Sequence, residues 1–182
     1  MNIAPLGREA TLEDLYRVEG KAELVDGRLV LVAPASDDHN TAAGNIFYSL
    51  KTYQRARGGG RPYTDGMGFV TSERQTFSPD TAWYVGPRAG GKLIRGIPAL
   101  AVEVRSEEDY GPAAERRMAA KRAAYFAAGT QVVWDVDVFR ENLIRVYRAD
   151  DPEHTAVYRP GETADAEPAV PGWRFAVDEL FD

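Results

Sequence analysis

Short apolar runs punctuated by glycine and proline alternate with two longer stretches of helical period, a mixture that points to an α/β fold. Thr11-Leu12-Glu13-Asp14-Leu15-Tyr16 has the form of a capped short helix, with Thr11 as N-cap and acids in its first turn. Ala22–Val25 and Arg28–Val32 are apolar runs joined by Asp26-Gly27, a strong β-hairpin signal. From His39 to about Arg57 the spacing of Ala43, Ile46, Phe47 and Leu50 predicts a helix, preceded by a loop at residues 34–38 and stopped by Gly58-Gly59-Gly60.

Short strands are then expected at Arg61–Thr64, Met67–Val70 and Asp80–Val85. Residues 86–96 read as a Gly/Pro-rich surface loop. Leu100-Ala101-Val102-Glu103-Val104 is the expected central strand, with a carboxylate planted among valines. Leu100, Val102 and Val104 fall on one face, and Ala101, Glu103 and Arg105 on the other. Pro112 is suited to a first helical turn, the alanine-rich stretch 113–128 continues it, and Gly129 is the expected stop. Gln131–Val136 and Leu143–Tyr147 predict two more strands, His154–Tyr158 an edge strand, and residues 177–181 a short terminal helix. No repeat or linker divides the chain, so residues 1–182 are expected to form one domain.

Composition narrows this picture modestly. The chain has 182 residues, 44% hydrophobic and 27% charged, which suits a water-soluble core. No apolar run approaches the length of a membrane span, and residues 1–8 lack a cationic start followed by an apolar block. There is no cysteine, so disulfides and thiolate metal sites are excluded, and a reducing cytoplasm is the expected compartment. A net charge of −6 argues against a protein wrapped tightly on nucleic acid, unless a local basic patch or metal ions offset it.

The candidate chemistry centres on Glu103. An acid inside a valine strand is costly to bury without compensation, and a metal ion is one compensation. Asp80, after Ser78-Pro79, heads the strand Thr81–Val85. Mg²⁺ takes oxygen ligands and usually only one or two carboxylates plus waters, so Asp80 and Glu103 suit it if their strands lie side by side, with the Val104 carbonyl as a third ligand. Such an ion supports phosphodiester cleavage. A cation is then wanted beside the attacking water or the developing charge. Lys121 is the favoured residue for water activation and Arg105 the candidate phosphate clamp, since an Arg hardly acts as a base.

Blander readings compete at each position. Asp80 can end a turn, Glu103 can pair with Arg122 or with Arg105 of a neighbouring molecule, and Lys121 can be a solvated helix residue. Glu23 can simply flank the hairpin. His39 is a ligand or general base by type but is read as a helix-start residue, since two histidines make no His-rich metal site, and Trp83 and Trp134 are read as core. Gly58-Gly59-Gly60 and Gly90-Gly91-Lys92 lack phosphate-loop spacing.

The chain resembles the Uma2 family of the PD-(D/E)XK nuclease superfamily. The likeness rests on Ala22–Gly27, Pro34 through His39-Asn40, Pro79-Asp80, Val102–Ser106, Lys121 with Tyr125 and Ala127-Ala128-Gly129, and Val133–Asp137. It spans about Glu19 to Phe181. The resemblance implies a restriction-endonuclease-like core, a mixed β-sheet flanked by helices, preceded by the N-terminal helix and hairpin. It implies Mg²⁺ or Mn²⁺ on Asp80 and Glu103, the active-site lysine on the helix at Lys121, and Glu23 near the site holding a water. It also implies a homodimer acting on nucleic acid, with DNA the expected substrate. Two positions depart from the family pattern: Arg105 stands where an apolar residue is usual, and Ser106-Glu107 replaces Ser-Pro. The competing functions are a catalytically silent binding module on the same fold and a phosphoesterase acting on a smaller substrate.

Overall fold

The computed structural model describes residues 2–3, 8–32, 34–88, 90–91 and 93–182, with side chains from residue 8 onward. Most of the N-terminal stretch read for a leader, and Lys92 of the glycine-rich loop, lie outside the described residues. In chain order the elements are β1 (Asn2–Ile3), α1 (Leu12–Tyr16), β2 (Ala22–Val25), β3 (Arg28–Leu31), α2 (Asp37–Arg57), β4 (Arg61–Thr64), β5 (Gly68–Ser72), β6 (Gln75–Phe77) and β7 (Thr81–Tyr84). There follow β8 (Leu93–Arg95), β9 (Leu100–Val104), α3 (Pro112–Ala128), β10 (Val132–Asp137), β11 (Leu143–Arg148), β12 (Asp151–Tyr158), β13 (Thr163–Asp165), β14 (Arg174–Ala176) and a 3-10 turn, Val177–Phe181.

The main sheet runs β12-β11-β10-β9-β7-β4. Only β9 and β10 pair in parallel within it; their connection is the crossover helix α3, as a parallel pair requires. The sheet is therefore mixed, and helices cover both faces. On one side Ala42, Ala43, Ile46 and Leu50 of α2 join Leu100, Val102, Val104, Trp134 and Val136 in the largest apolar cluster. On the other, Tyr125 of α3 packs with Phe77, Ala101 and Val133. Each fully buried Leu, Ile or Val contributes roughly 1.5–3 kcal/mol of burial. Trp83 and Trp134 are both core residues, and Trp134 stacks on Trp173 at 5.0 Å.

Local chemistry accounts for the turns that set this frame. Asp26 and Gly27 have φ of 48° and 74°, the positive values a two-residue hairpin turn demands of both central residues. Thr11 caps α1 through a reciprocal capping box with Asp14. Gly129 closes α3 in the left-handed conformation, φ 107°.

The pattern reading missed some small strands. The expected loop at 86–96 contains β8, which pairs in parallel with β5; β6 completes that three-stranded sheet. The β13–β14 pair was also unread. These strands are only three residues long, too short for alternation to register, and they form by pairing across the chain. The start of α2 also differs: Ser36 is the N-cap and Asp37 and Asp38 lie in the first turn, so the helix begins before His39.

Candidate active site

Register brings the two central acids together. The antiparallel pair β7–β9 matches Thr81 with Val102 and Trp83 with Leu100. Asp80 immediately precedes Thr81 and Glu103 immediately follows Val102, so the two acids come close together at the end of this pair. Asp80 extends the pairing: its N–H donates to the Val102 carbonyl at 3.0 Å, and its Oδ2 accepts the Val104 N–H at 2.8 Å. Both residues lie at the end of the sheet where α3 and the β2–β3 hairpin meet it.

Glu103 has a donor for each oxygen. Lys121 Nζ lies 2.9 Å from Oε2, and the Tyr125 hydroxyl donates to Oε1 at 2.6 Å. Residues four apart share one helix face, so α3 presents both together. Tyr125 is anchored by stacking on Phe77, ring centroids 4.2 Å apart. Glu23, on β2, accepts the Ser78 N–H at 2.8 Å and Lys121 Nζ at 3.2 Å through the same oxygen. The hairpin is docked there by the Leu24 N–H, which donates to the buried Thr76 hydroxyl at 2.8 Å.

Around Asp80 the cations are different. His39 Nε2, in the first turn of α2, lies 3.2 Å from Oδ2, and Lys21 Nζ lies 3.4 Å from Oδ1. Lys21 is simultaneously paired with Asp65, in the turn after β4. Among the described residues, then, Glu23, Asp65, Asp80 and Glu103 face two ammonium groups, Lys21 and Lys121, together with one imidazole. Counted by residue type, the cluster holds four acids against two lysines and one imidazole.

The protonation equilibria carry the mark of that excess. Burial, against which Lys121 works, together with the charges of Asp80 and Glu23, pushes Glu103 up to about 7. Burial disfavours the Lys121 ammonium, but Glu103 and Glu23 outweigh it and hold the amine protonated well above its usual range. Lys21 is shifted upward in the same way by Asp80, Asp65 and Glu103 against its burial. His39 is raised as well: burial opposes its charged form, and the contact with Asp80 overcomes it. Burial would raise Asp80, yet His39, Lys21 and the Val104 N–H bring it below the usual carboxylate value. The Tyr125 phenol is raised by burial and by the neighbouring carboxylates, so it stays a donor.

Comparison with known proteins supplies the name for this arrangement. The Uma2 family, described as "Putative restriction endonuclease", matches residues 10–178. The chain belongs to the Uma2 family. Its fold is also that of a crystal structure of "a putative nuclease belonging to DUF820" from Anabaena variabilis ATCC 29413, with a TM-score of 0.76. That pair is 16% identical, and the likeness covers 94% of this chain and 97% of the other. No curated protein matches the chain.

This Uma2 chain offers a divalent ion a particular donor set. Among the described residues no group of three or more His, Asp and Glu side chains is arranged to hold a metal. Asp80 and Glu103 are a pair, and Mg²⁺ takes one or two carboxylates plus waters, so the all-oxygen chemistry and the charge excess fit it. Val104, the third expected ligand, uses its N–H on Asp80.

Arg105 requires a correction. It points to the side of the sheet expected from alternation, but it is 4% exposed and each of its five N–H donors faces an acceptor. Nε and one Nη bond Asp135 at 2.7 Å, both Nη atoms reach Glu115, and one reaches the Asp109 carbonyl. No fork is left for a phosphate. Arg122, the other cation weighed for Glu103 within the chain, lies over the Tyr147 ring.

Sequence reasoning assigned no site role to Lys21, Asp65 or Tyr125, and preferred a helix-start role for His39 over that of a ligand or general base. Two of these left a periodic signal: Lys21 is two residues before Glu23 and Tyr125 four after Lys121, the same-face spacings of a strand and a helix. Asp65 left none.

Proposed function

We propose that this protein is a Mg²⁺- or Mn²⁺-dependent endonuclease that hydrolyses phosphodiester bonds, with DNA as its substrate. The observation that carries the reading is the juxtaposition of Asp80 and Glu103 across β7 and β9, with the Lys121 ammonium 2.9 Å from Glu103. Asp80 and Glu103 are the residues that would hold the ion, with the Val104 carbonyl as the third ligand. When bound, such an ion polarises a phosphoryl oxygen and makes hydroxide available near neutral pH.

The chain's own residues do the rest. In this reading Lys121 orients the attacking water and stabilises developing negative charge. Glu23 accepts from that ammonium at 3.2 Å and in this reading holds the water. A two-fold pair of chains in the cytoplasm would suit cutting both strands of a duplex.

The test is incubation of supercoiled plasmid, single-stranded DNA, RNA and a chromogenic phosphodiester with the protein in Mg²⁺ or Mn²⁺. Cleavage of plasmid that disappears in Asp80→Ala supports the reading; undiminished cleavage by the purified variant rejects it. Turnover of the chromogenic ester alone would instead favour a phosphoesterase on a smaller substrate. One observation favours a silent binding module: both carboxylates already have cationic partners in Lys21 and Lys121. Under that alternative millimolar Mn²⁺ leaves the melting temperature unchanged, because only a ligand bound by the native state raises it.

A further inference from the structure

The two oxygens of Asp80 are not equivalent. Oδ2 takes the Val104 N–H at 2.8 Å and lies 3.2 Å from His39 Nε2, so both of its lone pairs are engaged. Among the described residues Oδ1 faces only Lys21 Nζ, at 3.4 Å. That is long for an ion-paired hydrogen bond, for which about 2.7–2.9 Å is usual. The closer partner of the same ammonium is Asp65, whose side chain is 41% exposed against 7% for Asp80. Lys21 is therefore seated on Asp65 and leans toward Asp80.

A divalent cation that binds Asp80 must use Oδ1, the oxygen Lys21 leans on. Two cations sharing one oxygen repel strongly at such separations. The four-carbon stem of Lys21 lets its ammonium shift, and Asp65 offers the place to go.

We propose that Lys21 competes with the divalent cation for Asp80 Oδ1, and that Asp65 is a positioning residue that sets cation affinity by drawing Lys21 away. The inference rests on the reading that Asp80 and Glu103 hold a metal, and it adds residues that reading does not use. Its distinguishing feature is that Asp65 acts through Lys21. An acid that merely lends negative charge to the neighbourhood would help the ion equally with or without the lysine.

Calorimetric titration with MnCl₂ of the full chain, Lys21→Met, Asp65→Asn and the double variant decides the matter, with melting transitions recorded for each sample to confirm folding. Lys21→Met binds Mn²⁺ about ten-fold more tightly and Asp65→Asn about ten-fold more weakly than the parent. In the Lys21→Met background the Asp65→Asn change shrinks to about two-fold or less, the non-additivity expected of residues acting as a unit. Lys21→Gln, which lacks the charge but stays polar, shifts affinity in the same direction as Lys21→Met and guards against a packing defect in either variant.

Equal losses from Asp65→Asn in both backgrounds, or no tightening in the lysine variants, overturn the proposal. The two levels of failure separate cleanly. If the parent takes up no Mn²⁺, the metal reading falls and this one with it. If the parent binds, Asp80→Asn does not, and the Lys21–Asp65 cycle is additive, only the competition is rejected.

Discussion

Two residues apart on the same face of one chain segment, Glu103 and Arg105 head two ionic networks of opposite character. Arg105 is bidentate to Asp135, bidentate to Glu115, and has no unused donor. It ties the end of β9 to β10 and to the first turns of α3. Around Glu103 the acids outnumber the cations, one oxygen of Glu23 is shared between two donors, and Lys21 is divided between Asp65 and Asp80. A buried network that only holds structure exhausts its donors on its acceptors. The Glu103 cluster differs in its protonation: burial and its neighbouring acids push Glu103 up to about 7, and such perturbed clusters are where chemistry is most often found.

The largest effect that would break the comparison lies in activity. Asp80→Ala is expected to lower metal-dependent plasmid cleavage by about a thousand-fold or more while the protein still melts cooperatively, read by gel assay and calorimetry. Retained cleavage would put Asp80 with the structural residues.

Next in size is stability, and it should fall on the other network. Arg105→Met leaves the buried Asp135 without its partner and should cost about 3–5 kcal/mol in urea unfolding. Any surviving folded fraction should keep its Mn²⁺ affinity. A loss below about 1 kcal/mol would mean the Arg105 network is less closed than its bonding implies.

Glu103 and Glu115, one from each network, should answer pH with opposite signs. Glu103 is about 7 in the folded protein and near 4.3 unfolded, so between these values the folded state holds the extra proton. Stability, measured without divalent ions, therefore falls as pH rises through that window, by on the order of 3–4 kcal/mol, and Glu103→Gln flattens the slope. Glu115 is depressed by its hydrogen bonds to Arg105, against its burial. Its contribution is present above the unfolded value and is lost as pH falls through the folded one, a loss that Glu115→Gln abolishes. Urea midpoints between about pH 3 and pH 8 for both variants test the pair of signs.

The smallest expected effect is that of Tyr125→Phe. It removes one of the two donors to Glu103 while keeping the stack on Phe77, for about 1 kcal/mol. A larger loss would show that Tyr125 carries more of the Glu103 charge than Lys121 does.

Much of the frame was readable from local pattern. The Asp26-Gly27 hairpin, the Thr11 cap, both long helices and the valine-flanked Glu103 follow from turn chemistry and periodicity, which act between residues close in the chain. The short strands β6, β8, β13 and β14 were not readable, because three residues carry too little alternation and their stability comes from distant partners. The same divide runs through the site. Asp80, Glu103, Lys121 and Glu23 stood out by type and by family likeness, whereas Arg105 was misjudged.

The reason is that a charged side chain's role depends on which oppositely charged groups fold against it. The sequence by itself determined the strand that carries Glu103, the helix that carries Lys121 and the set of residue types available for chemistry, since these depend on spacing and propensity. Only the tertiary structure decided that Asp80 comes close to Glu103, that Lys21 and His39 attend Asp80, and that Asp135 and Glu115 consume Arg105. Those outcomes are set by strand register and by electrostatics acting over a few ångströms between segments up to about a hundred residues apart, a distance at which local pattern carries no information.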